Sequence, residues 1–281
     1  MAEERSETLA VHSAGAVIPK IGLGTWQLRG EQCSEIVSAA LRKGYVHVDT
    51  AQGYANEEFV GAGLKSSGVP REKIFITTKV RPDRLADGDL QRSVDESLAK
   101  LGVPQIDLLL IHWPNPAIPL EGAIRALNAV KRDGRARHIG LSNFTTGLLE
   151  EAWRLTSEPF AAEQIEYHPY LDQTKMLAAL RLHGMAVIAY CPIALGKVVG
   201  DPSIEAVARA HGRTAAQATL RWLVQQPGVA AIPKTSHIER LAENLGVFDF
   251  ALSDAEMARM SALARPGSRN VNEPQWVAEW D

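Results

Sequence analysis

The chain has 281 residues, carries a formal charge of -3, and is 46% hydrophobic and 22% charged. That suits a soluble globular protein, long enough for two small domains or one large α/β unit. The charge balance leaves no basic stripe for nucleic acid, and no apolar run approaches the ~20 residues a membrane helix needs. Two cysteines, Cys33 and Cys191, lack CxxC spacing, and the opening MAEERSETLA has no apolar signal core; a reducing, cytoplasmic setting is the expectation.

Taken in order, LAVHSAGAVIPK (9–20) predicts a small hairpin turning at Ser13 to Ala16, and IGLG a first short strand. Helical and strand patterns then alternate. Helix is predicted over 33–43, strand over 45–49, helix over 56–66 and strand over 74–78. Leu90, Val94, Leu98 and Leu101 make a helical apolar face before a strand at 107–111; Leu120, Ala123, Leu127 and Val130 make the next before a strand at 138–141. A helix from Thr146, a strand at 162–165, a helix at 175–182 and a strand at 186–190 follow. Helices at 204–210 and 215–223 precede a strand at 229–232, and helices at 238–245 and 254–264 precede a loop-like tail from Pro266. Roughly eight strand–helix units without a linker predict an α/β fold, a (β/α)8 TIM barrel with an N-terminal β-hairpin and an additional C-terminal helix and tail. Residues 1–281 are read as a single domain.

The chemistry is expected at strand C-terminal ends, where barrels build their active faces. GYVHVDTAQGY (44–54) ends a strand with Asp49 and carries Tyr54 in the next loop. ITTK ends a strand with Lys79 and LLLIHW with His112. Singly, each also reads as a turn former or cap. Together, adjacent strands deliver a carboxylate, a phenol, an ammonium and an imidazole to one pocket. A nearby ammonium should favour phenolate and lower a tyrosine pKa from its usual ~10. Asp49 would hold the lysine, Tyr54 would protonate a carbonyl oxygen, and His112 would aim the same oxygen as a neutral donor.

These motifs, DTAxxY, TTK and LIHWP with GLSNF and IPK, resemble those of the aldo-keto reductase superfamily, and the match runs from GLGTW to the tail. The overall pattern, with its closing AEWD, is similar to the prokaryotic 2,5-diketo-D-gluconate reductases. The resemblance implies NADPH bound without a Rossmann domain, Asp49, Tyr54, Lys79 and His112 as the catalytic set, a small ketone or aldehyde substrate, and a monomer.

The residues accommodate that implication. No GxGxxG opens a helix, and Gly61 and Gly63 lie inside a helical pattern as packing glycines. Ser142, Asn143 and Gln164 end strands and can hydrogen-bond a carboxamide; Tyr190 offers a flat face for nicotinamide. Lys234, Thr235 and Arg240 sit beside a helix start, which suits a phosphate. The resemblance makes this the adenosine 2′-phosphate site, with Glu243 and Asn244 near adenine, and makes Trp26 and Trp113 walls of the substrate pocket. Two residues depart from the family pattern. Glu163 stands where Asn is usual, turned by strand alternation from Gln164's face, and Thr235 stands where Ser is common. His47 is expected as an interior hydrogen-bonded group, His168 as a turn residue and Cys191 as a small buried filler. No metal-ligand spacing occurs, so no metal is expected. Two rival readings are a Schiff-base lyase or aldolase using Lys79 and a non-catalytic NADPH-sensing subunit.

Overall fold

The structure, a computed structural model, describes residues 9–277 and 279–281; the polar start of the chain lies outside them. Strands β1 (Ala10–Ser13) and β2 (Ala16–Pro19) pair antiparallel. Their two-residue turn places Ala14 and Gly15 at φ +48° and +79°, the left-handed pair that matches the twist of a tight hairpin.

Eight parallel strands follow in sequence order: β3 (Leu23–Gly24), β4 (His47–Asp49), β5 (Phe75–Val80), β6 (Ile106–Ile111), β7 (Ala136–Ser142), β8 (Phe160–Glu166), β9 (Ala186–Tyr190) and β10 (Val229–Ala231). The ring closes through parallel bridges between Ile21 and Ala231 and between Gly24 and Lys234. Gly22 N donates to Ala231 O at 2.9 Å, and Gly24 N to Pro233 O at 3.1 Å. Glycine is required at this seam. A Cβ on Gly22 would lie 2.7 Å from the His47 ring, and one on Gly24 would lie 2.7 Å from Ile232 O.

Period-two alternation sorts the strand residues. Val48, Ile76, Leu109, Ile111, Leu141 and Val187 face the helices and join the large outer core. Leu108, Leu110, Ala162, Ala186, Ile188 and Ala230 face inward, and Val11, Ala16 and Ile18 of the hairpin pack against them. The hairpin thus seals the N-terminal end of the barrel. The same inward parity, carried one step further up the strands, reaches Asp49, Lys79, His112, Ser142, Gln164, Tyr190 and Lys234.

The helices form where amphipathic periods predicted them, with ends shifted by local chemistry. The first barrel helix starts at Gly30 rather than Cys33, since its exposed opening turn has no apolar residue to mark it. The two packing glycines sit in helix Glu57–Ser67. A Cβ on Gly61 would meet Lys100 O at 2.6 Å, and one on Gly63 would meet Ser34 O at 2.7 Å. Helix backbones therefore approach there more closely than any side chain permits. No helix among the described residues is long and apolar enough to cross a membrane.

Candidate active site

At the C-terminal end of the barrel the strands surround a cavity of about 620 Å³. Asp49, Tyr54, His112, Trp26, Trp113, Ser142, Asn143, Gln164, Tyr190, Lys234 and Arg240 all line it. The central contact is the Lys79 ammonium. Its Nζ donates to Asp49 Oδ1 at 2.6 Å, to Thr50 O at 2.9 Å and to the Tyr54 hydroxyl at 3.2 Å. Lys79 and Asp49 are 0% and 1% exposed. Such a pair tolerates burial only because each charge has a full set of partners; the second Asp49 oxygen accepts from Gln164 Nε2 at 2.7 Å.

Tyr54 lies on a short 3-10 turn, Gln52–Tyr54, held from several directions. The Gln52 amide donates to Ser93 and Ser97 and accepts from Arg81 N. Asn56 donates to Thr25 O and Leu28 O and accepts from Thr50, and Arg29 donates to Tyr54 O at 2.5 Å. Gln52 and Asn56 were absent from the predicted set. Their only trace in the sequence is that both are amides bordering Tyr54, since their acceptors lie on distant segments. His112 meets the Tyr54 ring edge-to-face, with centroids 5.6 Å apart.

Burial and the neighbouring Lys79 ammonium depress His112 well below the usual imidazole pKa, so the ring is neutral at physiological pH. Burial pulls Lys79 down, but the carboxylate of Asp49 and the Tyr54 phenol outweigh it, and the net shift is upward. Tyr54 corrects the sequence expectation. Burial pushes its pKa up, and this outweighs the downward pull of Lys79. The phenol is therefore protonated at neutral pH, and Lys79 limits the rise instead of producing a fall.

Around this centre the polar strand ends form a connected network. Ser142 Oγ donates to Gln164 O at 2.9 Å. Asn143, in the left-handed region at φ +62°, donates from its side chain to His112 O at 2.9 Å and to Ser142 Oγ at 3.0 Å. The Tyr190 hydroxyl donates to Asn143 Oδ1 at 2.7 Å, which fixes the ring across the cavity. Lys234 and Arg240 also line the cavity, and among the described residues neither makes an ion pair.

Three expected cofactor residues do not line the cavity. The Thr235 hydroxyl accepts from His237 N at 3.0 Å and shapes the turn that carries Lys234 into Arg240. Glu243 accepts from Thr214 Oγ1 at 2.6 Å, and Asn244 is buried against the Tyr45 hydroxyl. Thr235 faces its own loop, Glu243 the start of helix Ala215–Gln225, and Asn244 the interior.

The β9–helix loop, unmarked as a site beforehand, contributes Cys191, Pro192, Ile193, Leu195 and Gly196. Ala194, Leu195 and Gly196 all have positive φ, which turns this backbone sharply beside the cavity. Cys191 lines the cavity half-buried instead of filling the core, and burial pushes its thiol up to about 12. It is a protonated, unreactive wall.

The tail also reaches the site. Trp280 meets Trp113 edge-to-face at 6.0 Å and lies under the Arg269 guanidinium at 3.6 Å. Asp281 accepts from Thr146 N at 2.7 Å, anchoring the terminus on a helix start. His47 is interior and bonded to Thr77 Oγ1, as expected. His168 begins a turn, but it is also buried and 2.9 Å from Glu166 Oε1, whose carboxylate holds Asn270 and Val271 of the tail. Among the described residues no group of three or more His, Cys, Asp or Glu is placed to hold a metal.

A parallel barrel with a buried carboxylate–ammonium–phenol relay at its C-terminal mouth is the frame of a carbonyl oxidoreductase. Residues 20–265 match the aldo/keto reductase family, and the chain belongs to that family. It is 40% identical over 265 residues to morphine 6-dehydrogenase of Pseudomonas putida, covering 89% of this chain and 88% of that one. It is 39% identical to methylglyoxal reductase DkgB of Escherichia coli O157:H7, covering 94% and 99%. Among solved structures, one assigned as a 2,5-diketo-D-gluconic acid reductase B superposes with a TM-score of 0.97 at 48% identity over 99% of both chains. A variant of Gox0644 in complex with NADPH superposes with a TM-score of 0.88 at 35% identity over 95% of this chain and 96% of that one.

Proposed function

We propose that the protein reduces a small ketone or aldehyde with NADPH, Tyr54 giving the proton. The observation that carries the reading is the Lys79 ammonium shared between Asp49 and the Tyr54 hydroxyl at the cavity floor. A cofactor fits the lining: two cations without a counter-ion among the described residues suit a phosphate, and a fixed aromatic face with amide groups suits nicotinamide. NADPH bound there supplies the hydride.

Everything else is done by the chain. His112, neutral, donates to the carbonyl oxygen and orients it. Tyr54, protonated at neutral pH, passes its proton to that oxygen as negative charge develops, and Lys79 stabilises the resulting phenolate. Asp49 keeps the ammonium in place. Ser142, Asn143 and Gln164 would hold the nicotinamide carboxamide, Tyr190 would face the nicotinamide ring, and Lys234 and Arg240 would take the 2′-phosphate. Thr235 shapes that loop, and Glu243 and Asn244 support adenine through the helix they stand on. Trp26, Trp113 and Trp280 give an aromatic wall to a small substrate.

Two of the relatives named above favour 2,5-diketo-D-gluconate or methylglyoxal, and β-keto esters offer a reducible ketone of the same kind. A Schiff-base role for Lys79 is disfavoured by its geometry. Three acceptors hold the ammonium, and its raised pKa leaves no free amine to attack.

The test is NADPH consumption across these carbonyl compounds, repeated with Tyr54→Phe. The variant should bind NADPH as the parent does and lose ~100-fold or more in turnover, the usual scale for a proton donor. Turnover retained by the phenylalanine variant would remove Tyr54 from the mechanism.

A further inference from the structure

Two of the residues read as facing nicotinamide, Ser142 and Asn143, stand on one turn, Ser142–Asn143–Phe144, leaving β7. Asn143 is in the left-handed conformation, its N–H donating to the main-chain Gln164 O at 3.1 Å. The next amide, Phe144 N, donates to a side chain instead, Glu163 Oε1, at 2.9 Å. Glu163 and Gln164 are adjacent on β8, so one dipeptide holds two successive amides of the turn, one by its main chain and one by a side chain.

Glu163 is 0% exposed, and its Oε2 is buried with no hydrogen-bond partner among the described residues. Its register neighbours are Leu141 on β7 and Val187 on β9, and the turn presents Phe144. No titratable or charged group of the described residues acts on it from any of these elements. A carboxylate in that position would be an uncompensated charge.

We propose that Glu163 is a positioning residue that acts as an uncharged carboxylic acid, clamping the Ser142–Phe144 turn so that Asn143 and Ser142 are set for the cofactor, and that ionising this one carboxyl releases the clamp. Burial, raising its pKa well above the usual carboxylate range, keeps the acid form in place. The cofactor half of this inference rests on the NADPH reading of the cavity.

The sign follows from linkage. With the folded pKa raised, the native chain loses stability as pH climbs from the unfolded carboxyl value of ~4.3 towards the folded one. Glu163→Gln keeps the acceptor for Phe144 N and cannot ionise. Thermal melts of the full chain without cofactor, and NADPH titrations followed by protein fluorescence, are run from about pH 5 to about pH 10 on both proteins. Wild type should melt progressively lower than E163Q as pH rises. Its Kd for NADPH relative to E163Q should weaken by up to ~10-fold per pH unit above the folded pKa, the limit when only the acid form binds. Parallel melting curves would overturn the neutral clamp. Diverging melts whose difference has levelled off, so that the folded pKa has been passed, together with a constant Kd ratio would overturn its link to the cofactor. If neither protein bound NADPH at any pH, the cofactor link would fall together with the proposed function, and the melts alone would decide the clamp.

Discussion

Replacing Asp49 by Asn tests the centre of the site most sharply. Asp49 Oδ1 takes the Lys79 ammonium at 2.6 Å, and Oδ2 takes Gln164 Nε2 at 2.7 Å. Asparagine has one oxygen and one NH2, so either orientation leaves one of those two donors without its acceptor. Lys79, 0% exposed, would then be a buried cation without a counter-charge. Breaking such a pair from one side costs about 3–5 kcal/mol, which lowers the melting temperature by about 5–8 °C in a chain of this size. The double variant Asp49→Asn with Lys79→Met removes the orphaned ammonium and should recover most of that loss. The pH dependence has a defined sign. In the parent, Lys79's raised pKa contributes stability that is complete below the unfolded value of ~10.4 and is lost as pH rises through the folded one. In the single variant burial is opposed only by the Tyr54 phenol and the Thr50 carbonyl, the lysine sheds its proton earlier, and the deficit should shrink as pH rises from neutral towards ~10. Melts by circular dichroism at several pH values measure this. A single variant within about 2 °C of the parent, or a double variant no better than the single, would refute the argument.

Removing the cations that line the cavity should separate the two nicotinamide cofactors. Lys234→Ala and Arg240→Ala should each weaken NADPH binding by about 10-fold or more, the scale of a charged hydrogen bond, while NADH binding stays within about twofold. Calorimetric titration of both dinucleotides decides it, and equal losses would place the phosphate elsewhere. Gly61→Ala should destabilise by about 1–3 kcal/mol, because its Cβ would meet backbone oxygens of Lys100 and Leu101 at 2.6 and 2.7 Å. Gly147→Ala, with nothing within 4 Å of the new carbon, should stabilise by about 0.5 kcal/mol. Equilibrium unfolding of the pair separates close packing from helix propensity, and similar changes in both would contradict the packing account.

The sequence by itself settled what is local and periodic. Apolar spacing marked the strands and helices in order, and their alternation demanded a parallel sheet whose tips share one face. Hence Asp49, Lys79, His112, Ser142, Gln164 and Tyr190 could be named from their places at strand ends together with the motifs around them. The tertiary structure decided what depends on partners distant in the chain. Only there does Gln52, held by Ser93 and Ser97, become the brace for Tyr54. Only there do Glu243 and Asn244 turn to the start of helix Ala215–Gln225 and to the interior, and the tail brings Trp280 onto Trp113. The direction of the Tyr54 pKa belongs to the same class. A sequence shows which charges are near, but desolvation is a sum over every group that excludes water, and that sum exists only once the chain has folded.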